Sequence, residues 1–279
     1  LTTVQNGKEL HQNIIGVALD YLAVGLDPEK VTLYKQSDVP QVAELAWVFN
    51  SITTMPYLMR AHAFKDAEAK NKEINVGVFA YPLLMAADIL IQDADVVPVG
   101  SDQKQHVEYA RDIAGFYNRA WNVEQFKLPK EFITKDVAIV PGIDGGKMSK
   151  SKGNVIPLFG SDEALKRAVM SIVTDSMLPE EKKNPDTNTI YNIHKLFLSP
   201  FGITELRGKF EKGGYSYKQA KDDLLITIMK WREGKKKIYD DLIADPEKIA
   251  EILEVGGKRA RAKAIATMKQ VKAQVGLHI

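Results

Sequence analysis

The sequence predicts an α/β protein: a doubly wound parallel sheet with its helices, followed by a region that is helical throughout. Two observations carry this. In the first half, short β-rich runs alternate with helical patterns, and strands separated by helices imply parallel pairing. From Ser161 onward only helical periodicity is left. The natural boundary lies at 154–160, where Gly, Pro and Phe interrupt the pattern, giving expected domains of residues 1–155 and 156–279.

Taken in order, Ile14, Ile15, Ala18, Leu19 and Leu22 fall at helical spacing within residues 9–26, closed by Gly25 and Asp27-Pro28. Residues 31–36 form a β-rich run, and Ser37 and Asp38 offer caps for a helix over 39–49. The apolar stretch 76–91 is interrupted by Tyr81-Pro82 and Asp88, which argues against a membrane span. Residues 95–100 read as a strand, 101–113 as a helix and 138–140 as a third strand candidate. Helices are then expected at 164–173, 190–198, 217–239, 246–253 and 257–275.

With 45% hydrophobic and 27% charged residues, the composition excludes disordered and collagen-like classes. The absence of cysteine excludes disulfide frameworks, thiolate catalysis and cysteine-based metal sites, and it fits a cytoplasmic protein. Leu1-Thr2-Thr3-Val4 has neither a basic head nor an apolar run, so it is no signal peptide. The net charge of +2 hides an asymmetry: residues 256–279 hold six cations and no acid, leaving −4 on the remainder. Lys258, Arg259, Arg261, Lys263, Lys269 and Lys272 are placed on a helix with Ile265, Met268 and Val271 facing inward. A helix presenting one sign of charge suits RNA phosphates, or is simply a solvated terminal helix.

Three stretches can carry chemistry. Gly145-Gly146-Lys147-Met148-Ser149-Lys150-Ser151-Lys152-Gly153-Asn154 is a glycine-flanked loop that gathers cations around a small volume. Such a loop can clamp a polyphosphate and neutralise a leaving pyrophosphate. In Gly100-Ser101-Asp102-Gln103-Lys104-Gln105-His106, a strand ends in Gly and a helix begins, where open α/β sheets bind ligands. Asp102 is a helix cap or a ribose acceptor there. Tyr81, Met85 and Asp88 share one helix face. A carboxylate there suits an indole N–H, which only donates, and Met offers a polarisable surface to a flat ring. An Asp bonded to nearby backbone and a core Met are the plainer account.

The string Lys-Met-Ser-Lys-Ser at 147–151 resembles the class I aminoacyl-tRNA synthetase signature. Gly-Ser-Asp-Gln-x-x-His at 100–106 is similar to their tyrosyl and tryptophanyl subclass, and Tyr-Pro-x-Leu-Met-Ala-Ala-Asp-Ile-Leu at 81–90 to the bacterial-type tryptophanyl members. The resemblance implies a Rossmann-like catalytic domain ending in the Lys-Met-Ser-Lys-Ser loop, a helical anticodon-binding domain, a homodimer, and the substrates ATP with Mg²⁺, L-tryptophan and tRNA(Trp). By it, Lys147 and Lys150 serve the transition state of adenylate formation, with Met148, Ser149 and Ser151 in the same ATP loop. It places Gly100 and Asp102 on the ribose and Ile139 at the adenine. Tyr81, Met85, Asp88 and Gln103 hold tryptophan, and Lys258, Arg259, Arg261 and Lys263 are tRNA candidates. His106 reads as a helix-orienting residue. Lys65, Lys70 and Lys72 all stay open as a triphosphate contact. Trp47, Phe49, Ile52 and Met55 form an expected dimer face.

The family also uses a His-x-Gly-His-type motif after its first strand. No His here is followed two residues later by Gly, and the chain begins at Leu1. The expectation is that this motif lies upstream of Leu1, and a molecule without it would be severely impaired in adenylation. Rival readings are a tyrosyl-tRNA synthetase and a catalytically impaired RNA-binding fragment of a synthetase.

Overall fold

The computed structural model describes residues 4–69, 74–133 and 140–277. It divides into two compact units, one of Leu1–Leu22, Leu26–Thr134 and Leu242–Ile279, the other of Ala23–Gly25 and Lys135–Asp241. The expected boundary at residue 155 differs from this in two ways. The Lys-Met-Ser-Lys-Ser loop groups with the helical unit, and the C-terminal helix groups with the first.

The chain opens with α1 (Gly7–Val24), α2 (Gln41–Ile52), α3 (Met55–Leu58), α4 (His62–Ala69) and α5 (Val76–Ile91). Strand β1 (Val96–Pro98) follows, then α6 (Lys104–Ala120) and β2 (Lys130–Phe132). β1 and β2 pair in parallel, with Val96 opposite Lys130 and Pro98 opposite Phe132, across the α6 crossover. This α/β arrangement is as expected in class, although β2 was not anticipated from its mixed Lys-Glu-Phe pattern. Residues 31–36 are not a strand: they run as coil into a 3₁₀ turn at Gln36–Asp38. The helix expected from Val39 begins instead at Gln41 after Pro40, and neither Ser37 nor Asp38 caps it. Of the strand expected at 138–140, residues 138 and 139 lie outside the described residues.

The core of the first unit centres on Leu45, Phe49, Leu83, Ile91, Ile113 and Tyr117, all wholly buried. α5 supplies Leu83, Ala86, Ala87 and Leu90 to it, which leaves the Tyr81, Met85 and Asp88 face only partly covered. Asn75 caps α5 by accepting from the Val78 N–H at 2.9 Å. Pro82 inside α5 has no N–H to return to the Val78 carbonyl, so the helix forms on packing rather than on propensity.

In the second unit, α7 (Asp162–Met170), α8 (Thr189–His194), α9 (Pro200–Lys212) and α10 (Tyr217–Arg232) enclose Leu165, Val169, Ile190, Phe210 and Leu224, and α11 (Lys235–Ala244) follows α10. The helix expected over 217–239 is broken between α10 and α11, where Gly234 takes φ +76°. His194 is buried in this unit, and its Nε2 lies 2.8 Å from the Thr227 hydroxyl. Burial lowers its pKa from 6.5 to about 4. The unfolded chain therefore takes up a proton near pH 6.5 that the folded one refuses until about pH 4. Up to about 3 kcal/mol of stability is expected to disappear over that window on acidification. Urea midpoints against pH check this, and His194→Gln should flatten the dependence.

Finally α12 (Pro246–Gln274) is one continuous helix of 29 residues, where two had been expected. Gly256 and Gly257 would ordinarily break or weaken it. Close neighbours account for glycine at both positions: a Cβ on Gly256 would sit 1.9 Å from the Leu33 carbonyl oxygen, and one on Gly257 would sit 2.9 Å from the Asp38 side chain. Ala260, Ala264, Met268 and Val271 then bury against the first core, which explains the grouping of this helix. Ala raises intrinsic helix propensity by roughly 1 kcal/mol over Gly. Gly256→Ala is nevertheless expected to destabilise by about 1–3 kcal/mol, because the clash is with backbone that cannot rotate away. A raised urea midpoint would contradict the close approach. Among the described residues, no helix is long and apolar enough to cross a membrane.

Candidate functional site

Two groups of candidate residues lie one in each unit. In the first unit, α5 and the turn before α6 bring the amino-acid candidates together. Tyr81 Oη lies 2.7 Å from His106 Nε2, and His106 Nδ1 lies 2.9 Å from Gln103 Oε1. Gln103 Nε2 donates to Asp102 Oδ2 at 3.0 Å. Gly100 stands at the start of the Ser101–Gln103 turn and accepts the Gln103 N–H through its carbonyl at 3.0 Å. The N-cap of α6 is Gln103, so Asp102 does not occupy the capping position that the sequence left open for it.

Two turns along α5 from Tyr81, Asp88 accepts a hydrogen bond of 2.6 Å from Gln36 Nε2. Burial pushes the Asp88 carboxyl above the usual carboxylate range, and the Gln36 hydrogen bond opposes this. Tyr34 belongs to the same neighbourhood: burial and the Asp88 charge raise its phenol, and a hydrogen bond with Gln92 draws it down. Met85 packs on the first core from its partly covered position. Tyr81 and Gln36 border an apolar cleft of about 490 Å³ with Trp47 and Leu84, and Met85 and Asp88 are not among its lining residues. Sequence reasoning missed Gln36, which is 52 residues from its partner and sat in a segment read as a strand. The role of His106 was legible only as helix orientation, although its i+3 spacing from Gln103 signalled the contact.

In the second unit the phosphate-loop candidates are held by Asn154, which is only 3% exposed. Its Oδ1 accepts from the Ser149 N–H at 2.7 Å, and its Nδ2 donates to Asp144 Oδ1 and to the Lys147 carbonyl at 2.8 and 3.0 Å. Gly142 must be glycine: a Cβ there would lie 2.4 Å from Asn154 Nδ2. The Asn154 hydrogen bond holds the Asp144 carboxyl below its ordinary range, with help from the Gly146 N–H and the Lys152 charge. Gly145 and Gly153 take φ +79° and +65°, so the loop closes through left-handed positions that favour glycine. Met148 anchors the loop by packing on the second core, while Lys147, Lys150 and Lys152 stay exposed. The arrangement is a backbone held by Asn154 with exposed cations on it, which suits a phosphate charge. Ile139, Lys70 and Lys72 lie outside the described residues, and Lys65 is exposed on α4.

The basic face of α12 is less free than its composition implies. Lys258 pairs with Glu254 at 2.5 Å, Lys263 with Asp93 at 3.6 Å and Lys272 with Glu44 at 2.6 Å. Arg259 donates to the Pro28 carbonyl at 3.3 Å, whereas Arg261 and Lys269 are exposed. Met268 and Val271 face inward as expected, but Ile265 is 50% exposed. Phe49 is wholly buried, which removes it from the expected contact face. Trp47, 74% exposed, and Met55 remain on it. Among the described residues no three His, Cys, Asp or Glu side chains converge as a metal cage.

Comparison with known proteins adds to this geometry. Residues 2–244 match the family described as tRNA synthetases class I (W and Y). The tryptophan–tRNA ligase of Fusobacterium nucleatum is 47% identical over 99% of this chain and 85% of its own length. That of Campylobacter jejuni is 42% identical over 99% and 86%. The solved Campylobacter jejuni tryptophanyl-tRNA synthetase, complexed with ADP and tryptophan, superposes with a TM-score of 0.86, covering 99% of this chain and 86% of that one. The Mycoplasma pneumoniae enzyme gives 0.83 at 28% identity, covering 100% and 85%. With that match running through both the hydrogen-bonded face of α5 and the Asn154-held loop, the chain belongs to the class I tRNA synthetases for tryptophan and tyrosine, on their tryptophanyl side.

Proposed function

We infer that the chain is a tryptophan–tRNA ligase, which activates L-tryptophan with ATP and transfers it to tRNA(Trp). The observation that carries the choice of amino acid is the half-buried Asp88, fixed by Gln36 on the face that also bears Tyr81 and Met85. An acceptor held in an apolar surrounding suits a group that can only donate, and the indole N–H is such a group. Relatives named tryptophan–tRNA ligase at 40–47% identity support the same reading.

The reaction needs no covalent enzyme intermediate, because the carboxylate is already a nucleophile. A tryptophan carboxylate oxygen attacks the α-phosphorus of ATP, and the bond from that phosphorus to the bridging oxygen breaks to release pyrophosphate. Lys147 and Lys150 meet the charge that builds on the leaving group, and Ser149 and Ser151 add donors beside them. Gly100 and Asp102 serve the ribose, and Gln103 the tryptophan ammonium. The terminal ribose hydroxyl of the tRNA then attacks the acyl carbon and AMP departs. Mg²⁺ enters as the companion of ATP, since the phosphate candidates of this chain are lysines rather than carboxylates.

The exposed basic residues of α12, Arg261 above all, are the RNA contacts best placed to act, because Lys258 and Lys263 are held by acids. Such an enzyme works where translation runs, in the cytoplasm. A homodimer through the Trp47 and Met55 face completes the reading, and Trp47→Glu is expected to shift sedimentation from dimer to monomer. ATP–pyrophosphate exchange by the full chain is the direct test of function. Exchange driven by tryptophan and not tyrosine is expected, and exchange driven by tyrosine alone would overturn the reading.

A further inference from the structure

We propose that His106 is a positioning residue that makes Tyr81 and Gln103 present lone pairs, and so sets the selectivity of the site for a ligand bearing an ammonium group. This rests on the reading of the site as one for a free amino acid. The Asp102 carboxylate can only accept when ionised, so the nitrogen of the Gln103 amide must face it. The other end of that amide, Oε1, is therefore the atom 2.9 Å from His106 Nδ1. A carbonyl oxygen cannot donate, so Nδ1 carries the proton. In the neutral ring Nε2 is then bare, and the Tyr81 hydroxyl, 2.7 Å away, gives its single proton to it.

The consequence is a one-way chain from Tyr81 through His106 and Gln103 to Asp102. The only proton of Tyr81 is committed to the ring, so the remaining lone pairs of Oη accept. Gln103 Oε1 is held in place with one lone pair still open, and it too accepts. Without the ring, the Tyr81 hydroxyl can turn its proton outward and the Gln103 amide can rotate, and each would then offer a donor to a group that has only donors. His106 touches no reacting atom in this account. It acts by fixing the polarity of the two groups that accept from the ammonium.

The test compares tryptophan with indole-3-propionate, which keeps the indole and carboxylate and lacks the amine. Binding to the parent chain and to His106→Phe is measured by calorimetry. Expected is a rise of about 10- to 100-fold in the tryptophan Kd of H106F, the loss of one well-oriented charged hydrogen bond. Indole-3-propionate should bind parent and variant within about twofold. An equal loss for both ligands would assign His106 a merely structural role and overturn the proposal, as would no loss for either. If H106F does not fold, Tyr81→Phe removes one of the two acceptors and should show the same ammonium-specific loss. A parent chain that binds neither ligand overturns the amino-acid reading itself, which separates that failure from failure of the His106 chain.

Discussion

Asp88→Ala is expected to lower kcat/KM for tryptophan by about 100-fold in ATP–pyrophosphate exchange and to raise that for phenylalanine, so that discrimination between the two collapses. Sites that hydrogen-bond a substrate group discriminate strongly, because a ligand lacking that group leaves a buried partner unsatisfied. Removing the carboxylate abolishes the penalty for phenylalanine and the gain for tryptophan together. The alanine also strips Gln36 of its acceptor, so Asp88→Asn is the sharper variant. Its side-chain oxygen can still accept from Gln36, while its nitrogen would face the indole N–H donor to donor. Stability should hold and tryptophan selectivity should fall. Burial raises the Asp88 carboxyl, so tryptophan affinity should weaken on acidification from a higher pH than an ordinary aspartate would give. The asparagine variant should lack that dependence. Unchanged discrimination in both variants would reduce Asp88 to a bracket for residues 34–36.

Lys150→Ala is expected to cost about 100- to 1,000-fold in the exchange rate with little effect on tryptophan affinity, the pattern of a group that acts in the transition state. The exposed ammonium can reach a developing charge because Asn154 fixes the backbone beneath it and the side chain projects to solvent. Lys152→Ala, outside the pair assigned to the phosphates, should cost much less. Equal losses at both positions would mean that the loop contributes only a diffuse positive field.

Much of this was readable without coordinates, and for a common reason. The α5 face, the turn before α6 and the Asn154-held loop are all local: their residues lie within one helix or one turn, so spacing alone brings them together. Readings failed where partners are distant in sequence. Gly256 and Gly257 read as a break, but they let the Leu33 backbone and the Asp38 side chain lie close against a continuous helix. Gln36 carried no local signal of its contact with Asp88, and residues 31–36 had β propensity without a neighbouring strand among the described residues to pair with. The basic helix was read from charge alone, which could not reveal the acids that α2 and the residues after α5 turn toward it.

With Asp88 facing the indole N–H, the site proposed here is one for tryptophan. Calorimetric titration of the chain with L-tryptophan and, separately, with L-tyrosine tests it without requiring any chemical step. Saturable binding of tryptophan with no measurable heat from tyrosine is predicted, and binding of tyrosine in preference to tryptophan would contradict the assignment of Asp88 and the function drawn from it.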